Sequence, residues 1–186
     1  MVESNLNFTF SDQAIKFDDT RFYGIFKSYL PSGKGVDFLS INPEAFIMLE
    51  VKNCTGHEKE NAWRTRTNFV NEKGEEGFDI EVAKKVAGTL ACLTGAGIAY
   101  NLGGADELKP YFQELASKKY EKGKKVLQII LFLEGDFGSK TRTKKMIMKR
   151  IRDKISEKLK WLNCTVRVVD LATYNENGYS VGYVKI

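Results

Sequence analysis

Val126-Leu127-Gln128-Ile129-Ile130-Leu131-Phe132-Leu133 is apolar at every position but one. A half-exposed strand alternates apolar with polar residues, so an unbroken run of this length reads as a strand covered on both faces. Any fold that accepts it must put structure above and below a sheet. Periodicity places the flanking helices. One runs from Phe78 to about Ile98, where Ile80, Ala83, Ala87, Leu90 and Leu93 recur at helical spacing, and a second from about Asp106 to Glu121. A third, from about Thr141 to Leu162, carries the stripe Met148, Ile151, Ile155, Leu159 and Leu162, and the strand Thr165 to Val169 follows.

The first half of the chain extends this alternation. Asp18-Asp19-Thr20 offers cap chemistry for a helix over Arg21 to Leu30, which Pro31-Ser32-Gly33 ends. Strands over Val36 to Ile41 and Phe46 to Asn53 flank the turn Asn42-Pro43-Glu44-Ala45, and a further strand is expected around Asn7 to Phe17. Gly56 to Gly77 reads as a long polar loop, and Tyr174 to Ile186 as a terminal strand with Asn177-Gly178 as its turn. The order predicts an α/β, three-layer-type sandwich whose mixed central sheet is covered by helices, with Val126 to Leu133 in the middle. With 186 residues, 42% of them hydrophobic, a single domain over 1–186 is expected.

Composition removes several function classes. No apolar stretch reaches the roughly 18 residues of a membrane span, and MVESNLNFTF has no signal-peptide architecture, which reads as a soluble, cytoplasmic protein without a membrane partner. Cys54, Cys92 and Cys164 form no CxxC pair and read as small buried hydrophobes rather than a disulfide framework. His57 is the single histidine, which rules out HExxH and removes most zinc sites and most histidine-based triads, and a metal is expected on oxygen ligands. Gly95-Ala96-Gly97 and Gly103-Gly104 lack the strand and lysine contexts of phosphate-binding loops.

The end of the strand Phe46 to Asn53 breaks its own apolar pattern. Side chains alternate, so Met48, Glu50 and Lys52 share one face and Ile47, Leu49 and Val51 the other. A hairpin through Asn42 to Ala45 brings Asp37 alongside Glu50 or Lys52. Two carboxylates and an ammonium in one partly desolvated place repel and need compensation, which a hard divalent ion between Asp37 and Glu50 supplies. Lys52 would then orient a water or stabilise charge on a phosphate. The plainer reading is a strand end emerging into solvent with a weak cross-strand ion pair.

Asp37, followed after twelve residues by Glu50-Val51-Lys52 on the next strand, resembles the bipartite signature of the PD-(D/E)XK nuclease superfamily. Lys16-Phe17-Asp18-Asp19, Phe22-Tyr23, Gly35-Val36-Asp37-Phe38-Leu39 and Leu49-Glu50-Val51-Lys52-Asn53 are similar to a bacterial group within it. The resemblance implies an αβββαβ restriction-endonuclease-like core and Mg²⁺- or Mn²⁺-dependent hydrolysis of nucleic acid, DNA foremost, in DNA processing or defence. It implies Asp37, Glu50 and the Val51 carbonyl as metal ligands and Lys52 as the catalytic lysine. Val36 stands where the motif's name has proline, and the helix Arg21 to Leu30 lacks the acid many members carry, so Asp18 or Asp19 is the nearest substitute, Asp19 being taken as the fourth ligand. The alternative is a non-catalytic nucleic-acid-binding or protein-interaction module on the same fold.

Charge suits a polyanionic partner without requiring one, the plainer reading being a solvated helix face. The chain carries a net +5, and Lys140 to Lys160 holds ten Lys and Arg against Asp153 and Glu157. Lys144, Lys145, Lys149 and Arg152 lie off the apolar stripe and are candidate phosphate contacts. Trp63-Arg64-Thr65-Arg66-Thr67 adds Arg64 and Arg66 on the loop after the site.

Overall fold

The computed structural model describes residues 1–99, 102–117, 119–120, 125–175 and 178–184. Its central feature is a mixed five-stranded sheet, in the order β3 (Gln13–Lys16), β4 (Phe38–Ile41), β5 (Ala45–Asn53), β6 (Val126–Glu134) and β7 (Cys164–Val169). β3, β4 and β5 are antiparallel neighbours, whereas β5, β6 and β7 run parallel. The tight β4–β5 turn can only reverse the chain, whereas the helical crossovers before β6 and β7 return it in the same direction; β3 and β4 are antiparallel although α1 lies between them. The β4–β5 turn is closed by Asn42, whose Oδ1 accepts the N–H groups of Glu44 (2.9 Å) and Ala45 (2.7 Å). Among the described residues β5, rather than β6, occupies the middle of the sheet. The continuous apolar run marks burial on both faces, which β6 shares with β5, and so does not distinguish the two.

Among the described residues, helices cover one face only. α1 (Arg21–Tyr29), α3 (Phe78–Ile98), α4 (Ala105–Leu115) and α5 (Lys144–Lys158) pack there, with Phe46, Met48, Ile129 and Leu131 from the sheet. The loop over 56–77 contains the one-turn helix α2 (Glu58–Asn61) and a 3₁₀ turn, Ala62–Thr65. The opposite face is covered by a second, three-stranded sheet of β1 (Val2–Glu3), β2 (Leu6–Phe10) and β8 (Tyr179–Tyr183), not by helices. Its core is aromatic: the Phe8 ring centroid lies 5.3 Å from that of Phe38 and 5.4 Å from that of Phe132. The expected strand around Asn7 to Phe17 is therefore two strands in two sheets, divided at Ser11-Asp12, where the chain crosses between layers.

Helix boundaries and faces show where packing overrides pattern. α5 begins at Lys144, with Thr143 Oγ1 accepting the Met146 N–H, and buries Met148, Ile151 and Ile155 as its stripe requires. On α3 the buried face is Phe78, Val82, Val86, Thr89, Leu93 and Ala96; Ile80 is half-buried and Ala87 exposed, so the stripe lies one position away from that expected. Small and apolar residues surround this helix, and with little contrast between faces the periodicity does not select one. α4 ends at Leu115. Its expected terminus at Glu121, like Asn177 and Ile186, lies outside the described residues. No described helix is long and apolar enough to cross a membrane.

Candidate active site

The β4–β5 register ends at Phe38↔Leu49. Asp37 N–H donates to the same Leu49 O at 3.1 Å, one residue out of that register, and its carboxylate lies beside Glu50, with the Lys85 ammonium in reach of both. Glu50 is fully buried and Asp37 is 6% exposed. Glu50 points to the helix side of the sheet, as does Lys52, while Leu49 and Val51 pack against the small sheet. Asp37 Oδ2 accepts the Val51 N–H at 2.6 Å. The Val51 carbonyl leaves the strand on the same side as that N–H.

Three local structures hold this arrangement. Phe17 N–H donates to the Asp37 carbonyl at 2.7 Å and begins the 3₁₀ turn Phe17–Asp19, which brings Asp18 to the site. Thr20 caps α1, donating to Phe17 O and accepting the Tyr23 N–H. Gly35 precedes the strand because the rings of Phe17 and Tyr23 close over it: a Cβ there would collide with Phe17 Cε1. Finally, Val36 N–H donates to Thr89 Oγ1 at 3.0 Å, and Thr89 donates to the Lys85 carbonyl at 2.8 Å. That chain of bonds fixes α3 against Asp37.

α3 thereby contributes Glu81 and Lys85, one turn apart on one face. The Lys85 ammonium lies 2.7 Å from Glu50 Oε1, 2.8 Å from Glu50 Oε2 and 3.5 Å from Asp37 Oδ1. Lys52 bridges Glu50 Oε1 (2.9 Å) and Glu81 Oε1 (3.0 Å), and Arg64 pairs with the other Glu81 oxygen. Glu50 Oε1 is at ion-pair distance from two ammonium groups, yet neither directs a well-formed hydrogen bond to it. Burial, and then repulsion from Glu50, push the Asp37 carboxyl up to about 7, against the pull of Lys85, the Val51 N–H and Lys52. Burial alone would lower Lys52 and Lys85; the surrounding carboxylates, Glu50 first, outweigh it and hold both ammonium groups above their usual range. Glu81 is held below the usual carboxylate range, because Lys52 and Arg64 outweigh its desolvation.

The donor set suits a hard divalent ion: two carboxylates lie within reach of one ammonium, and one buried carboxylate oxygen has no hydrogen-bond donor. Glu3, Asp18 and Asp37 also each offer an oxygen within 4.8 Å of the others, although Lys16 already pairs with Glu3 (3.3 Å) and Asp18 (3.4 Å). Asp19 does not join Asp37. Its side chain is 68% exposed and turns to Lys16 at 3.2 Å, since successive residues of a 3₁₀ turn point about a third of a rotation apart and Asp18 takes the inward position. Glu81 and Lys85 are the residues that strand-based reasoning misses. Their signal was present, a Glu and a Lys at i and i+4, but Asp79 and Lys84 in the same two turns are charged as well and blur it.

The basic residues disperse over three surfaces. Arg66 and Lys149 line a groove of about 960 Å³ between the 3₁₀ loop and α5, together with Arg142, Arg150 and Lys154. Lys144, Lys145 and Arg152 line a smaller depression of about 480 Å³ around Met148 and Asp170, which Lys149 also borders. Arg64 lies over the Phe78 ring (4.5 Å to the centroid) and is committed to Glu81. Lys144 is likewise committed, at 2.5 Å from Asp170 Oδ2, and Asp153 pairs with both Lys149 (3.0 Å) and Arg152 (2.7 Å). Lys145 is exposed, and Arg66 stacks on Phe69.

A model described as a family of unknown function, DUF6661, matches residues 20–182, and the chain belongs to that family. No curated protein and no solved structure matches it.

Proposed function

We propose that this member of the DUF6661 family is a divalent-metal-dependent nuclease of the PD-(D/E)XK type, hydrolysing phosphodiester bonds of nucleic acid, with DNA as the first substrate to test. The observation that carries the reading is the buried apposition of Asp37 and Glu50 across the β4–β5 pair, with Lys52 next along the same face. Its support extends to the sheet, in which an antiparallel β3–β4–β5 unit is followed by the parallel β6, although β3 precedes α1 and only β4 and β5 stand between α1 and α3, a departure from the αβββαβ order.

Asp37, Glu50 and the Val51 carbonyl would hold Mg²⁺ or Mn²⁺. When bound, such an ion supplies a Lewis acid for a phosphate oxygen and acidifies water. The chain's own residues do the remainder. Glu81 and Glu50 hold the Lys52 ammonium at the rim of the carboxylate pair, where its charge stabilises the oxyanion that develops on phosphorus. Val51 N–H fixes the Asp37 carboxylate in one orientation. The groove lined by Arg66, Arg142 and Arg150 binds the phosphate backbone beyond the site.

The test is cleavage of duplex DNA, single-stranded DNA and RNA with Mg²⁺ or Mn²⁺, beside calorimetric titration of the ion. Glu50→Gln is expected to abolish cleavage and weaken ion binding, whereas Lys52→Ala should retain ion binding and lose about 10²–10³ in rate. A wild type that binds no divalent ion, or a Glu50→Gln variant that cleaves as well as wild type, overturns the mechanism. A second reading, nucleic-acid or protein binding without cleavage, draws on one observation: Lys52 and Lys85 already neutralise the Asp37–Glu50 pair. Salt-dependent DNA binding with no ion uptake would support it.

A further inference from the structure

Lys85 occupies the position between Asp37 and Glu50 that a cation bridging both carboxylates must take. Its ammonium contacts both Glu50 oxygens, at 2.7 and 2.8 Å, and reaches Asp37 Oδ1 at 3.5 Å. A divalent ion held by the same oxygens would meet this ammonium at close range in a desolvated place, where like charges repel most strongly. The two cannot be bound together. Lys52 differs, because it approaches Glu50 Oε1 alone and shares its charge with Glu81.

An alternative place for the ammonium is at hand. Lys85 opens onto a depression of about 720 Å³ that Asp18, Tyr23, Lys27, Lys34 and Glu81 also line. Asp18 Oδ1 is buried there without a hydrogen-bond donor, with Lys16 at 3.4 Å as its ion-pair neighbour. Two acids, Asp18 and Glu81, stand against Lys27 and Lys34 in this lining, and Lys34 is paired with Glu76, so an ammonium released into it has carboxylates to meet.

We propose that Lys85 is the resident cation of the Asp37–Glu50 site, which a divalent ion displaces toward Asp18, so that Lys85 is a positioning residue that sets the affinity of the site for metal. This rests on the metal reading of Asp37 and Glu50. The exchange makes and breaks only ionic contacts, and the total charge of the protein side is unchanged.

The experiment is Mn²⁺ titration by calorimetry and thermal melting of wild type, Lys85→Met and Lys85→Arg. Without ion, Lys85→Met should melt below wild type, since two buried carboxylates lose a partner. It should bind Mn²⁺ about tenfold more tightly or better, and the melting gap should close at saturating ion. A purely structural ion pair would leave the gap open. Should Lys85→Met fail to fold, Lys85→Arg and the unaltered protein carry the test: the arginine variant should bind Mn²⁺ more weakly than wild type, and acylation of Lys85, followed by mass spectrometry, should accelerate when Mn²⁺ is added. Mn²⁺ binding to wild type with unchanged Lys85 reactivity and no gain in Lys85→Met overturns the exchange while sparing the metal site. Mn²⁺ binding to Lys85→Met but not to wild type overturns the exchange, because the ion then fails to displace the native lysine, and binding to neither protein overturns the metal reading and the exchange together.

Discussion

Two acidic clusters sit at neighbouring ends of the large sheet, and they resolve the same electrostatic problem differently. At the end of β5, Asp37 and Glu50 lie beside each other and share Lys85; at the ends of β6 and β7, Glu134 and Asp170 share Lys144. In the second cluster each acid has its own neutral donor as well. Leu171 N–H donates to Glu134 (2.9 Å), and the Thr173 hydroxyl donates to Asp170 (2.5 Å). Burial alone would raise Asp170, but Lys144 and Thr173 outweigh it and hold the carboxyl below its usual range. Asp37, with one N–H and a more distant ammonium, is pushed the other way, to about 7. Acid count is the same in the two places. Asp37 and Asp170 are equally buried, so donor supply decides the opposite directions of their carboxyls.

The largest effect that can break this comparison is the pH dependence of stability. Asp37 keeps its proton up to about 7 in the folded protein but loses it near 3.8 when unfolded, so its contribution is full below 3.8 and disappears as pH rises toward 7. Metal-free protein should therefore melt lower at pH 8 than at pH 5, and Asp37→Asn should remove that fall, gaining about 1–4 kcal/mol at pH 8. Asp170 has the opposite sign, because a lowered folded value gives stability that is present above 3.8 and is lost as pH falls through the folded value. Asp170→Asn should thus destabilise at neutral pH. Equal pH profiles for the two variants would show that the clusters are not electrostatically distinct.

A smaller effect is expected from the shared lysine of the satisfied cluster. Lys144→Met leaves Asp170 with Thr173 as a donor, and the cost should be about 1–3 kcal/mol by denaturant titration. Lys144 is also the first residue of α5, where a positive charge opposes the helix dipole, which reduces the net loss. A loss larger than that of metal-free Lys85→Met would reverse the ranking of the two sites.

The smallest effect on stability should come from the groove. Arg142→Glu with Arg150→Glu alters exposed groups and should change stability by no more than about 0.5 kcal/mol. The same variant should weaken DNA binding and reduce the slope of log affinity against log salt by about 0.9 for each phosphate that the two arginines neutralise. An unchanged slope would assign the charge of this face to solvation alone.

How much of the site was legible before folding depends on sequence distance. Asp37, Glu50 and Lys52 are joined by one tight turn, so strand alternation and a short hairpin suffice to bring them together. Lys85 enters from a helix 35 positions beyond Glu50, through the Val36–Thr89 and Thr89–Lys85 bonds. No local pattern encodes that approach. Asp18 and Asp19 are adjacent and chemically alike; the direction of a 3₁₀ turn separates them, and that turn is set by the Phe17–Asp37 bond. The basic stretch was legible as a charge excess, but its division among ion pairs depends on Asp153, Asp170 and Glu134 coming into reach.

The sequence by itself determined the mixed α/β character, the antiparallel pairing of β4 with β5, the apolar face of α5 and the meeting of Asp37 with Glu50. Each follows from interactions within a few residues, where backbone stereochemistry and side-chain periodicity leave few alternatives. Only the tertiary structure decided that a three-stranded sheet covers the second face, that β5 is central, which side of α3 is buried, and that Lys85 holds the paired carboxylates. These depend on surfaces that match at long range. Phe8 or a helix would have covered the apolar face of β6 at similar gain, because hydrophobic burial is non-directional and rewards any well-packed partner.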